Sequence, residues 1–394
     1  MRENIFQEEA IEILNNNGQV IGTERIALDN SIDRILAEDI IADRDDPPFD
    51  RSLRDGYACL KNDIPGTLEI IEIIKAGEFP KKKIILGKCA KIMTGAIVPE
   101  GSNCIVMVEF SKKIDSDYVK LNPPNRANFI SPRGEYKKKG DVIVEKGTII
   151  DTGIVSIMAY VGKSNPLVYE RPKIGIIATG DELVEVHEKP AECQIRNCNS
   201  SLLKAQLKEI GCDTSYLGIA NDDLELLTQK IRKEKDIFDI ILISGGVSAG
   251  DYDFVLQAIK DSGYEIVFHK INIRPGKPAV FARVSNSYIY GVPGNPISGY
   301  LNFELFIKPF IYNIMGHKYN PEIIEMEITD SIKNKMIKRD CWYPVNILNN
   351  NQVKPVYFKG AAHLSSLVET DGIVCIPRGK KEIKKGEKVD VRRI

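Results

Sequence analysis

The sequence has one tryptophan, four histidines and no CxxC pair among its eight cysteines. His187, His269, His317 and His363 are scattered and form no HExxH or Cys/His array, so the spacing of a structural zinc site is missing. The cysteines, at 59, 89, 104, 193, 198, 212, 341 and 375, keep no regular interval, which argues against a disulfide framework and reads as free thiols in a reducing cytoplasm. An excess of charge is also absent: 54 Lys and Arg face 55 Asp and Glu, for a net charge of -1. A phosphate-tracking surface usually leaves its domain clearly basic, so no nucleic-acid partner is expected. Long apolar runs are missing too. MRENIFQEEA carries acids where a signal peptide has its apolar core, and Tyr300 to Met315 is interrupted by Glu304 and Lys308, so neither secretion nor a membrane span is expected.

What is present is a chain of 394 residues with changing texture. At about 150 residues per domain, it holds two to three domains and a cleft between them. Apolar spacing predicts helices over residues 7–17 and 31–38, the first stopped by Gly18 and the second opened by Ser31. From Asp46 short β-branched runs follow (68–74, 83–86, 104–108), a β-rich insertion over 46–140 that returns near Asp141 to the N-terminal unit of residues 1–45 and 141–168. Over 169–316 apolar strands (174–178, 238–243, 288–292) alternate with helices (201–210, 222–234, 254–261), the signature of a doubly wound α/β unit. Residues 317–394 turn back to short strands with Gly and Lys turns, as in a small β-barrel.

In the α/β unit three turn-rich loops follow predicted strands, and open parallel sheets bind ligands outside those carboxyl ends. Thr179-Gly180-Asp181-Glu182 puts two adjacent carboxylates at the sheet edge, suited to Mg²⁺ or to acid-base work, or simply to capping a helix. Ser244-Gly245-Gly246-Val247-Ser248-Ala249-Gly250-Asp251 runs from a strand into a helix, and its glycines suit a backbone nest for phosphate. Pro293-Gly294-Asn295-Pro296-Ile297-Ser298 opens a further helix, with Pro296 at its first position. Between the last two, Arg274-Pro275-Gly276-Lys277-Pro278 holds two cations in a stiff frame, an oxyanion site or a solvated turn. In the insertion, Asp55 and Thr94 sit in polar turns that name no reaction by themselves. The lysine runs 81–83 and 137–139 read as solvated faces, although the second could steer an anionic substrate.

PPFDRSLRDGYA, IMTGAIVPEG, PRGEYKKKGD, IATGDELVE, QIRNCNS, SGGVSAGDYD, RPGKP and VPGNPIS occur in this order along nearly the whole chain. Together they resemble the MoeA family of molybdopterin molybdenumtransferases, which also occurs as the E domain of gephyrin. The resemblance implies a MogA-like α/β domain within a four-part architecture. It also implies insertion of molybdate into adenylylated molybdopterin with release of AMP, aided by Mg²⁺, as the last step of molybdenum cofactor synthesis. Carried over, Glu182 with Asp181 would serve the metal or adenylyl end, and Asp222 and Asp253 would be further catalytic acids. The stretch from Ser244 to Ser248 and Gly250 would hold the pterin phosphate region. Arg274, Pro275, Gly276, Lys277 and Ser298 would line the molybdate side, while Gly180, Pro293, Gly294, Asn295 and Pro296 would shape the pocket. Asp55 and Thr94 would complete the cleft from a second subunit, which implies a homodimer. Further partners would be the adenylyltransferase of the same pathway and acceptor molybdoenzymes.

Three positions depart from the family pattern: Arg54 in place of Met, Tyr136 in place of an Asp, and Arg274 in place of Lys. Two other functions compete. The adenylyltransferase of the pathway resembles the α/β unit alone, so the flanking domains weigh against it. A non-catalytic molybdopterin-binding scaffold is opposed by the retained Asp55, Thr94, Glu182, Asp222 and Asp253.

Overall fold

The computed structural model of the chain describes residues 1–123, 128–247 and 254–394. Its centre is a seven-stranded sheet built mainly from β1 (Ile174–Thr179), β2 (Thr214–Ala220), β3 (Ile240–Ser244), β4 (Glu265–Ile271), β5 (Val280–Val284) and β6 (Ser287–Val292). The strand order is Arg2–Ile5, β4, β5, β6, β3, β1, β2. β6, β3, β1 and β2 are parallel, as the strand-helix alternation predicts, but β4, β5 and β6 pair antiparallel, so the sheet is mixed.

Alternation of side chains assigns each face of β3 to a different core. Ile240 and Leu242 pack with helix α1 (Cys198–Glu209) and with the helical run from Pro296 to Ile314. Ile241 and Ile243 pack with Leu227 and Ile231 of α2 (Leu224–Glu234) and with Val255 and Ile259 of α3 (Phe254–Asp261). Covered on both faces, the sheet leaves its strand ends as the open surface.

Several elements differ from the sequence expectation. The first residues do not stay with the N-terminal unit: Arg2–Ile5 adds a parallel strand beside β4, and helix Gln7–Asn17 buries Ala10, Ile13 and Leu14 in the core of the α/β unit. The helix expected at 31–38 is absent. Asp33 adopts a positive φ of 59°, and Ile35 and Leu36 form bridges to Ile149 and Val168, so tertiary pairing outweighs local helical spacing. Residues 83–86 form a loop rather than a strand, in which Ile84 is buried while Ile85 and Leu86 face outward. Strand β2 carries no clear alternation, because Gly218 sits at φ 85° and the register with β1 shifts between Ile176 and Ala178.

The insertion forms a six-stranded sheet ordered Cys104–Met107, Gly56–Cys59, Lys88–Ile92, Gly66–Ile74, Tyr118–Leu121, Ser111–Lys113. The C-terminal unit is a closed barrel of Asp340–Leu348, Gln352–Pro355, Ile323–Ile328, Lys388–Arg393 and Gly372–Ile376, in which the first and last strands also pair. Closure removes exposed sheet edges. A short strand Ile273–Arg274 pairs in parallel with Asp340–Cys341, which ties the RPGKP segment to the barrel. No helix among the described residues is long and apolar enough to cross a membrane.

Leu207 of α1 is fully buried between the sheet and the helices covering it. Leu207→Ala should cost about 2–5 kcal/mol of stability, read as a lower urea midpoint of the α/β transition; an unchanged midpoint would contradict this packing.

Candidate functional site

β1, β3 and β6 run side by side and all end at one edge, so their following loops must meet there. They enclose a cavity of about 790 Å³, lined among others by Gly180, Glu182, Asp222, Ser244, Gly246 and Ser298. Three loops distant in sequence thus converge, and Asp222 joins them from the end of β2.

The second loop is shaped by close contact with the first. Gly245 and Gly246 have φ values of 96° and 58°. A Cβ on Gly245 would lie 2.5 Å from the Thr179 carbonyl oxygen, and one on Gly246 would lie 2.6 Å from Val255 Cγ2 and 3.0 Å from Thr179 Oγ1. Only glycine fits without displacement of the backbone. The Gly245 N–H is not free, since it donates to the Val292 carbonyl at 3.1 Å. The amides of Gly246 and Val247 donate to no described backbone group, which narrows the expected nest to these two. Ser248, Gly250 and Asp253 lie outside the described residues.

Glu182 and Asp222 carry the negative charge of the cavity. The Asp222 N–H donates to Asp181 Oδ1 at 3.2 Å, which draws the two loops together. The Asp222 carboxyl is raised above the ordinary aspartate range, first by burial and then by the charges of Asp181 and Glu182. Asp181 itself is exposed and does not line the cavity. No three Asp, Glu, His or Cys side chains among the described residues form a metal-ligand group by themselves. Mg²⁺ usually takes one or two carboxylates and completes its shell with water and substrate phosphates. Two carboxylates on one cavity wall fit that mode, and Glu182 and Asp222, flanked by Asp181, are the residues that could hold the ion.

Pro293, Gly294, Asn295 and Pro296 line the opposite wall. Asn295 precedes the first turn, where its carbonyl accepts from the Gly299 N–H, and Pro296 begins the helix as its fixed φ favours. The RPGKP segment behaves differently. Pro278 reaches the cavity, whereas Arg274, Pro275, Gly276 and Lys277 do not. Lys277 stands near two other cations: its ammonium is held below the ordinary lysine range by burial, then by the charges of Arg339 and Lys270. Gly276 is wedged against Asn302, whose Nδ2 donates to its carbonyl at 3.1 Å.

Asp55 and Thr94 are brought to each other and not to this cavity. Asp55 Oδ1 accepts from the Thr94 N–H at 2.7 Å and from its hydroxyl at 2.8 Å, and these bonds hold the carboxyl below the ordinary aspartate range. Tyr136 is exposed and stands beside Glu135, which accepts from the Ser131 hydroxyl. Arg54 is exposed at the same turn as Asp55.

The sequence reading gave no role to three contributors. Asn199 Nδ2 donates to Ser244 Oγ at 3.0 Å and to the Gly294 carbonyl at 2.7 Å, stitching the second and third loops together. Its signal was its place in QIRNCNS. Ala362 and Leu364 reach the cavity from the C-terminal unit, where the Ala361 carbonyl accepts from the Ile297 N–H at 3.0 Å. Arg339, whose charge bears on Lys277, lies in none of the motifs read from the sequence. Neither feature could be found from local spacing, because both depend on how the barrel docks.

Comparison with known proteins agrees with this arrangement. Residues 5–162 match the MoeA N-terminal region (domain I and II), 175–313 a probable molybdopterin binding domain, and 332–394 the MoeA C-terminal region (domain IV). Proteins named molybdopterin molybdenumtransferase from Staphylococcus aureus (strain COL) and Staphylococcus epidermidis are each 30% identical over 400 aligned residues, covering 99% of this chain and 96% of theirs. The crystal structure of the molybdopterin biosynthesis protein moeA from Pyrococcus horikoshii OT3 superposes with a TM-score of 0.86 at 28% identity, covering 99% of this chain and all of that one. Matched in each of its parts and along its full length, the chain belongs to the MoeA family.

Proposed function

We propose that this chain is a molybdopterin molybdenumtransferase: it binds adenylylated molybdopterin, inserts molybdate at the dithiolene and releases AMP. The observation that carries the reading is the cavity at the ends of β1, β3 and β6, where Glu182 and Asp222 face the glycine turn after Ser244. A phosphoanhydride needs both features. The Gly246 and Val247 amides suit the pterin phosphate, and Glu182 and Asp222 would hold Mg²⁺ with the phosphate oxygens. The ion would offset charge on the phosphoanhydride.

Arg274 and Lys277, with Arg339 and Lys270 close to Lys277, supply the positive field for molybdate, and the Ser298 hydroxyl supplies a donor on the cavity wall. Pro293 and Pro296 keep that wall rigid. Asp55, clamped by Thr94, is an ionised acid on the insertion sheet. It completes the cleft of a second copy in a head-to-tail homodimer. The adenylyltransferase of the pathway supplies the substrate and an acceptor molybdoenzyme takes the product, all in the cytoplasm.

Purified protein given adenylylated molybdopterin and Mg²⁺ should release AMP when molybdate is added and little without it. ATP consumption independent of molybdate would point instead to adenylyl transfer, and tight binding with no release to a scaffold. Glu182→Gln and Asp222→Asn should each lower the rate of AMP release about 100-fold, the scale of acid-base and electrostatic contributions; a loss under threefold would remove them from the chemistry. Gly246→Ala should raise the KM for the substrate about tenfold by pushing the turn off Val255 and Thr179, and an unchanged KM would contradict phosphate binding at that turn.

A further inference from the structure

Arg196 is the one cationic side chain among the described residues that line the cavity. It lies in the short strand Ile195–Arg196, which pairs in parallel with Leu183–Val184 immediately after Glu182. The backbone there is held on both sides: the Ile195 N–H donates to the Glu182 carbonyl at 2.8 Å and the Asn197 N–H to the Val184 carbonyl at 2.9 Å. Asn197 is buried and caps α1, its Oδ1 accepting from the Ser200 N–H at 3.2 Å. Arg196 therefore projects from a fixed position between the acidic loop and a capped helix.

Its guanidinium is oriented, and no described carboxylate neutralises it. Nε donates to the Glu188 carbonyl at 3.0 Å. No carboxylate of a described residue forms an ion pair with Arg196, although Glu182 and Asp222 share the cavity. Tied at Nε, the group retains both terminal nitrogens as a fork, the geometry that grips two phosphate oxygens at once.

The neighbours of Arg196 have a second character. Ile195 is 58% exposed although it borders the cavity, and Leu183 beside it also lines the wall. One exposed and one half-buried aliphatic side chain next to a guanidinium with no ion-pair partner among the described residues match the two halves of a nucleotide: a flat base that needs an apolar rest and a phosphate that needs a cation. The phosphate at the glycine turn is already served by backbone amides.

We infer that Arg196 binds the adenylyl phosphate of the substrate, with Ile195 and Leu183 as the rest for the adenine. This rests on the transferase reading above. It assigns Arg196 a role in holding AMP, in the substrate and as product, and not in holding the pterin.

AMP and non-adenylylated molybdopterin, each titrated into the purified protein by calorimetry, separate the two ends of the site. Arg196→Gln should weaken AMP binding about tenfold, the loss expected for a charge-assisted contact, while molybdopterin affinity changes less than twofold. Arg196→Lys should recover only part of the AMP affinity, because an ammonium lacks the fork. In turnover, Arg196→Gln should raise the KM for adenylylated molybdopterin and weaken product inhibition by AMP. Unchanged AMP affinity in Arg196→Gln, or equal weakening of both ligands, would overturn the assignment while leaving the transferase reading in place. A wild-type protein that binds neither ligand and releases no AMP would overturn that reading and this inference with it.

Discussion

The contact between the glycine turn after β3 and Thr179 at the end of β1 is the constraint on which the site depends. With Thr179 buried and its carbonyl within 2.5 Å of where a Gly245 Cβ would stand, the two parallel strands end as one edge. Their loops must then leave in different directions, and the gap between them is the cavity. The Gly245 N–H fixes the third strand to the same edge through Val292. Substitution here would change the spacing between the acids and the Gly246 and Val247 amides, two groups that a phosphoanhydride substrate would have to meet together.

Around that edge, charge is distributed in separate regions. Glu182 and Asp222 stand together with Asp181 nearby, and the Asp222 carboxyl is raised first by burial and then by the charges of the other two. Lys277 stands with Arg339 and Lys270 at the junction with the barrel, and its ammonium is lowered first by burial and then by those two charges. Each region holds an unbalanced charge that a ligand of opposite sign would relieve: a cation and its phosphates at the first, a small oxyanion at the second. Preorganised like charges of this kind cost stability in the free protein and favour binding.

Much of this was legible in the sequence because the relevant signals are local. Strands β1, β3 and β6 read as apolar runs since both faces of the sheet are covered, and each is followed by a turn motif. Gly245, Gly246 and Pro296 stand where backbone geometry demands those residue types. What local pattern could not supply came from tertiary pairing. The segment at 31–38 has helical spacing but is pulled into bridges, β2 loses its alternation at a glycine and a register shift, and Arg2–Ile5 joins a sheet built from strands within residues 174–292. In the site, Arg339 became visible only when the barrel was assembled, and the motif QIRNCNS contained Asn199 without showing that it bonds Ser244 and Gly294. Asp55 and Thr94 were legible as a pair through the family resemblance, and the fold holds them together on a different sheet from the cavity.

The most direct test of the account is a crystal structure of this protein with molybdopterin bound. The account predicts the terminal phosphate within hydrogen-bonding distance of the Gly246 and Val247 amides, with Glu182 and Asp222 on the side of the missing adenylyl group. Phosphate bound away from that turn, with the cavity at the ends of β1, β3 and β6 empty, would contradict it.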